Sequence, residues 1–153
     1  MAFRNARELV VVESFNAAPV ASAVSSYTLS PSGALSVVSG SVKNKETDVC
    51  WVVITKDGRR VYTANFGSDT ISSYAYDAAG TLRLINGKAA SFPKMSQPVD
   101  LALSADSRFL YLLLRGTGAV AAFGVKANGD LAPLGITAGG LPVADGASGL
   151  AVY

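Results

Sequence analysis

The sequence contains few residues suited to acid–base or anion-binding chemistry, and it contains no histidine. Glu13 is a candidate general acid or base, and Arg115 is a candidate clamp for an anionic group. Each follows an apolar segment, so we expect each to lie where a strand ends. The alternative is that Glu13 bonds local backbone and that Arg115 is a solvated turn residue. The catalytic residues stay unknown on this evidence.

A second set of residues lies where the chain enters or leaves the predicted strands. These positions could reach one face of the folded chain and contact a ligand there. The predicted ligand-binding residues are Asn65, Trp51, Asp100, Asp48 and Gln97. For Asn65 the alternative is bonding to local backbone, and for Trp51 it is packing, because Trp51 begins an apolar strand.

No cofactor or metal site is predicted. The sequence has no metal-ligand spacing, no glycine-rich phosphate loop and no Gly-x-Ser-x-Gly motif. The single cysteine, Cys50, has no basic neighbour in sequence that would lower its pKa. We therefore expect an inert, buried thiol.

Composition limits the partners. Half of the residues are hydrophobic, but no run approaches the roughly 18 apolar residues that a membrane span needs. The net charge of +2 is spread over scattered Arg and Lys residues, so we expect no nucleic-acid partner. The segment 1–15 lacks the features of a secretory signal. The cytoplasm is the default expectation, and the compartment stays unknown.

The elements that position these residues follow from an internal repeat. Three segments align, and each holds an aromatic residue at the same place: Tyr27, Tyr74 and Phe123, spaced by 47 and 49 residues. A turn glycine and then a leucine follow each aromatic residue at constant offsets: Gly33 and Leu35, Gly80 and Leu82, Gly129 and Leu131. A period of this length, with four short strands per copy, is typical of propeller blades. A β-sandwich is the alternative, but it does not repeat turn chemistry at this period.

The predicted fold is all-β, with three consecutive four-stranded antiparallel propeller blades plus a terminal extra strand. The blades cover about 1–43, 48–91 and 97–138, and the extra strand covers about 149–153. An insertion at 15–21 lengthens the middle loop of the first blade. The predicted strands are Glu8–Ser14, Ala23–Leu29, Leu35–Val42, Trp51–Thr55, Arg60–Asn65, Thr70–Tyr76, Leu82–Gly87, Val99–Ser104, Phe109–Leu114, Ala119–Lys126 and Asp130–Thr137, with a short first strand near Met1–Arg4.

The segments Val52–Tyr74 and Leu101–Tyr111 resemble the lactonase-family seven-bladed propellers. That family includes propeller-type 6-phosphogluconolactonases and carboxymuconate-lactonizing enzymes. The resemblance covers nearly the whole chain, as a C-terminal portion of less than half a typical member. It implies lactone hydrolysis, with a small lactone or sugar acid as the substrate. Family members place a His six residues before the turn Asp, where this sequence has Trp51 and Asp100.

Two functions stay open at this point. The first is a partial lactonase-family propeller that processes lactones when complete. The second is a non-catalytic propeller module that binds a small ligand or a protein partner on its channel face. Three blades are too few to close a ring. We therefore expect either missing N-terminal blades or a homo-oligomer.

Overall fold

The computed structural model describes residues 1–143 and 146–152, which form three four-stranded antiparallel sheets. Within each sheet the strands follow chain order, so consecutive strands are neighbours. The first sheet contains β1 (Ala2–Asn5), β2 (Glu8–Glu13), β3 (Ala23–Leu29) and β4 (Leu35–Lys43). The second contains β5 (Val49–Ile54), β6 (Arg60–Asn65), β7 (Thr70–Tyr76) and β8 (Leu82–Ser91). The third contains β9 (Pro98–Leu103), β10 (Phe109–Leu114), β11 (Ala119–Val125) and β12 (Leu131–Ala138).

The sheets stack side by side as blades, with the first strand of each sheet on the inside. β5 contacts both β1 and β9, while β4 contacts β8 at the outside. This arrangement of sheets around a common inner edge is that of consecutive propeller blades. The predicted all-β fold of three four-stranded blades is therefore confirmed.

The middle blade is buried on both faces because successive side chains of a strand point in opposite directions. Val61 and Tyr74 pack towards the first blade, in one core with Val10 and Val24. The next residue along β6, Tyr62, belongs instead to the core shared with the third blade. This second core also contains Ala64, Ile71, Leu101, Leu110, Leu112, Leu114, Ala119, Ala121 and Phe123. Two buried faces explain the high share of apolar residues.

The repeated aromatic residues occupy equivalent positions, as the sequence predicts. Tyr27, Tyr74 and Phe123 each lie on the third strand of a blade, directly after a register shift in its pairing with the fourth strand. The repeated glycines close the turns that follow. Gly33, Gly80 and Gly129 have φ values of 83°, 82° and 90°, and each backbone N–H donates to the residue three positions earlier. Glycine suits these turns because it adopts positive φ without steric cost.

The structure differs from the sequence prediction in two respects. The expected strand at Gly149–Tyr153 does not form over the described residues 149–152, and Tyr153 lies outside the described part. A strand needs a partner for its backbone groups, and the N–H of Leu150 instead donates to the Asp100 carboxylate. Short 3₁₀ turns, absent from the prediction, follow the second strands: Phe15–Ala17, Phe66–Ser68 and Arg115–Thr117. Within the described residues, no helix is long and apolar enough to cross a membrane.

Candidate functional site

Most of the predicted site residues lie at one edge of the blades. Because the strands are antiparallel, the ends of β2, β6 and β10 share an edge with the starts of β5 and β9. We call it the loop edge, formed by residues 14–22, 44–48, 66–69, 92–97 and 115–118. It carries Glu13, Asn65, Arg115, Asp48 and Gln97. The opposite edge, called the hairpin edge, is formed by the turns at 6–7, 30–34, 55–59, 77–81, 104–108 and 126–130.

Backbone hydrogen bonds fix the loops that connect the blades. The N–H of Phe66 donates to the carbonyl of Asp48 at 2.9 Å, and the N–H of Arg115 donates to that of Gln97 at 3.1 Å. Asp48 and Gln97 have φ values of 56° and 52°, so both adopt the left-handed conformation. The two loops are thus held in the same way, 49 residues apart, and Gln97 is held beside Arg115.

Asn65 lies at the end of β6 and is fully buried. Its amide nitrogen donates to the hydroxyls of Thr70 at 2.9 Å and Ser72 at 2.8 Å. Its amide oxygen accepts from Asn44 Nδ2 at 3.0 Å. The whole amide is therefore engaged inside the protein, and its role as a ligand contact stays a prediction.

Two further polar residues of this network, Asn44 and Glu46, were missed by the sequence analysis. They are 1% and 3% exposed, in the loop between the first two blades. The Glu46 carboxylate accepts from the Thr70 hydroxyl at 3.1 Å and lies 3.9 Å from Lys88 Nζ. Because lysines surround Glu46 in the sequence, we expect its side chain to be solvated. Its burial becomes visible only in the structure, where the carboxylate packs against β7. The sequence feature that could have indicated this network is the Asn-x-Glu spacing before β5. The Asn44 side chain accepts a hydrogen bond from the Glu46 N–H, which fixes the loop.

Glu13 occupies the position in the first blade that Asn65 occupies in the second. Each is the last residue of a second strand and pairs with the first residue of the third strand. The Glu13 carboxylate accepts from the hydroxyls of Ser25 and Ser41, the latter at 2.7 Å. Arg115 belongs to the third blade, with the second blade between them. No hydrogen bond or ion pair joins Glu13 to Arg115 among the described residues, and their combination as acid and anion clamp stays a prediction.

Trp51 and Asp100 are the third residues of the inner strands β5 and β9, which contact each other. Trp51 is half-buried and packs against the core shared by the second and third blades. One Asp100 oxygen accepts from the Leu101 N–H and the other accepts from the Leu150 N–H, both at 2.8 Å. Asp100 thus binds the C-terminal segment, while its role in ligand binding stays a prediction.

Arg115 carries a buried side-chain nitrogen that lacks a hydrogen-bond partner among the described residues. This nitrogen is its Nε, and the residue as a whole is half-buried. Guanidinium groups bind carboxylates and phosphates through paired N–H donors. Arg115 is therefore the residue of this edge best suited to hold an anionic or carbonyl oxygen.

Cys50, beside Asp48, is unsuited to nucleophilic chemistry. Burial, with the nearby Asp48 carboxylate, raises the pKa of the Cys50 thiol to about 11. The reactive thiolate is accordingly scarce at neutral pH. In the described part of the chain, no three His, Cys, Asp or Glu residues cluster as metal ligands.

Comparison with known proteins now identifies the family. The architecture and the polar loop edge define a β-propeller segment. Residues 1–87 match the model of the seven-bladed β-propeller lactonase family. The chain belongs to that family. No curated protein gives a significant sequence match.

Solved structures agree with this assignment. A periplasmic gluconolactonase of Pseudomonas aeruginosa is 27% identical, with a TM-score of 0.65, over 86% of this chain and 39% of that one. A putative 6-phosphogluconolactonase from Bacteroides uniformis is 20% identical, with a TM-score of 0.67, over 88% of this chain and 40% of that one. The second likeness shows the fold alone. This chain spans about 40% of the length of these similar proteins.

Proposed function

We propose that this chain forms part of a lactone-processing propeller that acts on a small lactone or sugar acid at the loop edge. The observation that carries the proposal is the buried Nε of Arg115, which has no hydrogen-bond partner among the described residues, at this edge of a lactonase-family propeller. A lactone ring opens through attack of water on its carbonyl carbon, which places negative charge on the carbonyl oxygen. A fixed guanidinium beside that oxygen stabilises the charge.

The three blades supply this binding group but no histidine base, since the chain contains no histidine. A carboxylate would have to activate the water. Glu13 and Asp100 already accept hydrogen bonds from internal donors, so their carboxylates are engaged inside the protein. We propose that the full site requires further blades, supplied by more chain or by a second copy. These would complete the channel.

Product binding tests the proposal without requiring turnover. Gluconate, the product carboxylate of gluconolactone hydrolysis, should bind the chain and shift backbone NMR signals of the loop at 92–97 and the turn at 115–118. Arg115→Gln should weaken binding by about tenfold, the effect of losing one charged hydrogen bond. The exposed Arg83 on β8 provides a control, because Arg83→Gln makes the same change in charge far from the loop edge. Equal effects of the two variants would contradict the proposal.

Turnover distinguishes a partial site from a complete one. The isolated chain should not hydrolyse gluconolactone or 6-phosphogluconolactone above the spontaneous rate, because it contains no histidine to act as general base. A clear rate that disappears in Glu13→Ala or Arg115→Ala would show instead that the three blades hold a full site.

The alternative is a non-catalytic module that binds a small ligand or a protein partner on the channel face. The internal hydrogen bonds of Glu13, Asn65 and Asp100 favour it, because they give these side chains structural roles. The test is an assembly in which the ring of blades is closed. If that assembly binds gluconate but does not hydrolyse the lactone, the result would support this alternative.

A further inference from the structure

A second candidate site lies on the hairpin edge, away from the loop edge. The turns of the second and third blades line an open cleft of about 280 Å³. Five basic and two acidic residues line it: Lys56, Arg59, Arg60, Arg108 and Lys126, with Asp57 and Asp106. The balance of five positive and two negative charges leaves the cleft at +3, although the whole chain carries only +2.

The two carboxylates are occupied by their own turns. Asp57 accepts from the Thr55 hydroxyl at 2.6 Å and from the Arg59 N–H at 3.0 Å. Asp106 accepts from the Arg108 N–H at 3.0 Å and pairs with the Arg108 side chain at 2.5 Å. These donors lower the pKa of both carboxyl groups, so both stay ionised at neutral pH.

Most of the cations have no such partner. Across the described residues, the ion pairs join Arg4 to Glu8, Lys88 to Glu46 and Arg108 to Asp106. The other four basic residues of the cleft are therefore not in ion pairs within the described part: Lys56, Arg59, Arg60 and Lys126. Their charges repel one another across the cleft, and an anion would relieve that repulsion.

Arg60 is held rigidly in the wall of the cleft. Its terminal nitrogens donate to the carbonyls of Arg59 at 3.1 Å and Asn128 at 3.3 Å. The Cα of Gly129 packs against it so closely that a Cβ there would lie 2.5 Å from Arg60 Nε. That Nε is buried and has no hydrogen-bond partner among the described residues.

A neighbouring cleft between the first two blades differs in its charge balance. There Arg4 also packs against a turn glycine, Gly58, but it forms an ion pair with Glu8 and stacks on Tyr76. Its charge is thus neutralised inside the protein. The two clefts share the turn at 56–59, yet the one between the first two blades is lined by three basic and three acidic residues, whereas the cleft between the second and third blades is lined by five basic and two acidic residues.

We propose that this cleft binds a small ligand that carries a phosphate-like dianion, such as a phosphate monoester. The Lys56 N–H donates to the Ser107 hydroxyl at 2.9 Å, which ties the two turns together across the cleft and fixes the spacing of the cations. A volume of about 280 Å³ is at the lower end for ligand pockets, so it suits a small molecule. The site is independent of the lactone chemistry proposed at the loop edge.

The experiment is an NMR titration of the intact chain at low salt with inorganic phosphate and with glucose 6-phosphate. Signals of the turns at 55–60, 104–108 and 125–130 should shift. The double variant Arg59→Gln/Arg108→Gln should weaken binding by at least about tenfold, since charged hydrogen bonds are lost. Lys94→Gln is the matched control, because Lys94 is exposed and lies on the loop edge, and its affinity should stay within twofold of the original.

A second pair of variants keeps the proposal testable if Arg108→Gln disturbs its turn. Lys56→Gln/Lys126→Gln removes two exposed cations that form no ion pair among the described residues, and it should give the same loss. The absence of shifts at 20 mM phosphate, or equal weakening by Lys94→Gln, would overturn the proposal. So would binding of a short single-stranded DNA about tenfold tighter than glucose 6-phosphate, because that would identify a nucleic-acid surface.

Discussion

At the residue scale, the polar side chains of the loop edge fall into two groups. Glu13, Asn65 and Glu46 accept hydrogen bonds from hydroxyl or amide donors of nearby strands and loops. Arg115 has a nitrogen without such a partner. Buried polar groups without partners are rare in folded proteins, so each calls for an explanation, and a bound ligand is one. This difference makes Arg115 the first residue to mutate at this edge.

Cys50 provides a prediction of pH dependence. Its thiol pKa is raised to about 11, so the thiolate fraction and the alkylation rate should rise about tenfold per pH unit from pH 8 to pH 10. Iodoacetamide labelling followed by mass spectrometry measures this rate. The unfolded chain in urea is the control, and there the rate should rise less steeply from about pH 9 and level off near pH 10. The same levelling in the folded chain would contradict the raised pKa.

Tyr62 provides a second pH prediction. Its buried hydroxyl donates to the Gly129 carbonyl at 2.8 Å, and burial raises its pKa to about 12. Burial raises the pKa of Tyr74 as well. An unfolded tyrosine loses its proton near pH 10, so above that pH the folded state binds more protons. The contribution of Tyr62 to the free energy of unfolding should therefore be fully present below pH 10 and be lost between pH 10 and 12.

Urea unfolding at pH 8 and pH 10.5 measures this effect. The Tyr62→Phe variant should lose stability at pH 8, because its hydrogen bond to Gly129 is gone. It should also show a smaller decrease between the two pH values than the original chain. An equal decrease in both proteins would show that Tyr62 does not contribute to the pH dependence.

At the element scale, the inter-blade loops are positioned by the 3₁₀ turns that follow the second strands. Gly116 shows how closely they approach, because a Cβ at this position would lie 1.8 Å from the Met95 carbonyl oxygen. The Gly116 N–H also donates to the Ser96 carbonyl at 3.0 Å. A side chain at this position would therefore separate the loop at 92–97 from its turn.

Gly116→Ala should lower the free energy of unfolding by about 2 kcal/mol or more, as overpacking against backbone does. Gly124→Ala is the matched control, because its Cβ would meet its nearest neighbour at 3.9 Å. That control should stay within about 0.5 kcal/mol of the original chain. Urea titration followed by circular dichroism measures both, and equal stability of the two variants would contradict the close contact between loop and turn.

At the scale of the whole molecule, the first and third blades each have a neighbour on only one side. Large apolar side chains are exposed on both: Phe3 and Val37 on the first, Leu134 and Ile136 on the third. Repeat units that lack a neighbour or a polar cap leave apolar surface open to association. We propose that the purified chain forms a homo-oligomer, with a six-blade dimer as its simplest closed form.

Light scattering at micromolar concentration tests this assembly. The chain mass is 15.7 kDa, so a dimer should have about twice that mass, and Phe3→Ser should shift the equilibrium towards the monomer. Ile85→Ser is the control, because Ile85 is exposed on the middle blade, which already has two neighbours. A stable monomer of about 16 kDa would contradict the proposal.

Sequence alone determined the four strands of each blade and their grouping into blades. Tyr27, Tyr74 and Phe123, with the glycines and leucines that follow them, reveal the repeat. They recur because each blade needs the same turn conformation and the same alternation of side chains along its strands. The tertiary structure decided the surroundings of the polar residues. It buried Glu46 against β7 and joined the turns of two blades into a basic cleft. Such contacts depend on how whole blades stack. They join residues that lie far apart in the chain, and the repeat in the sequence does not show which of those residues will meet.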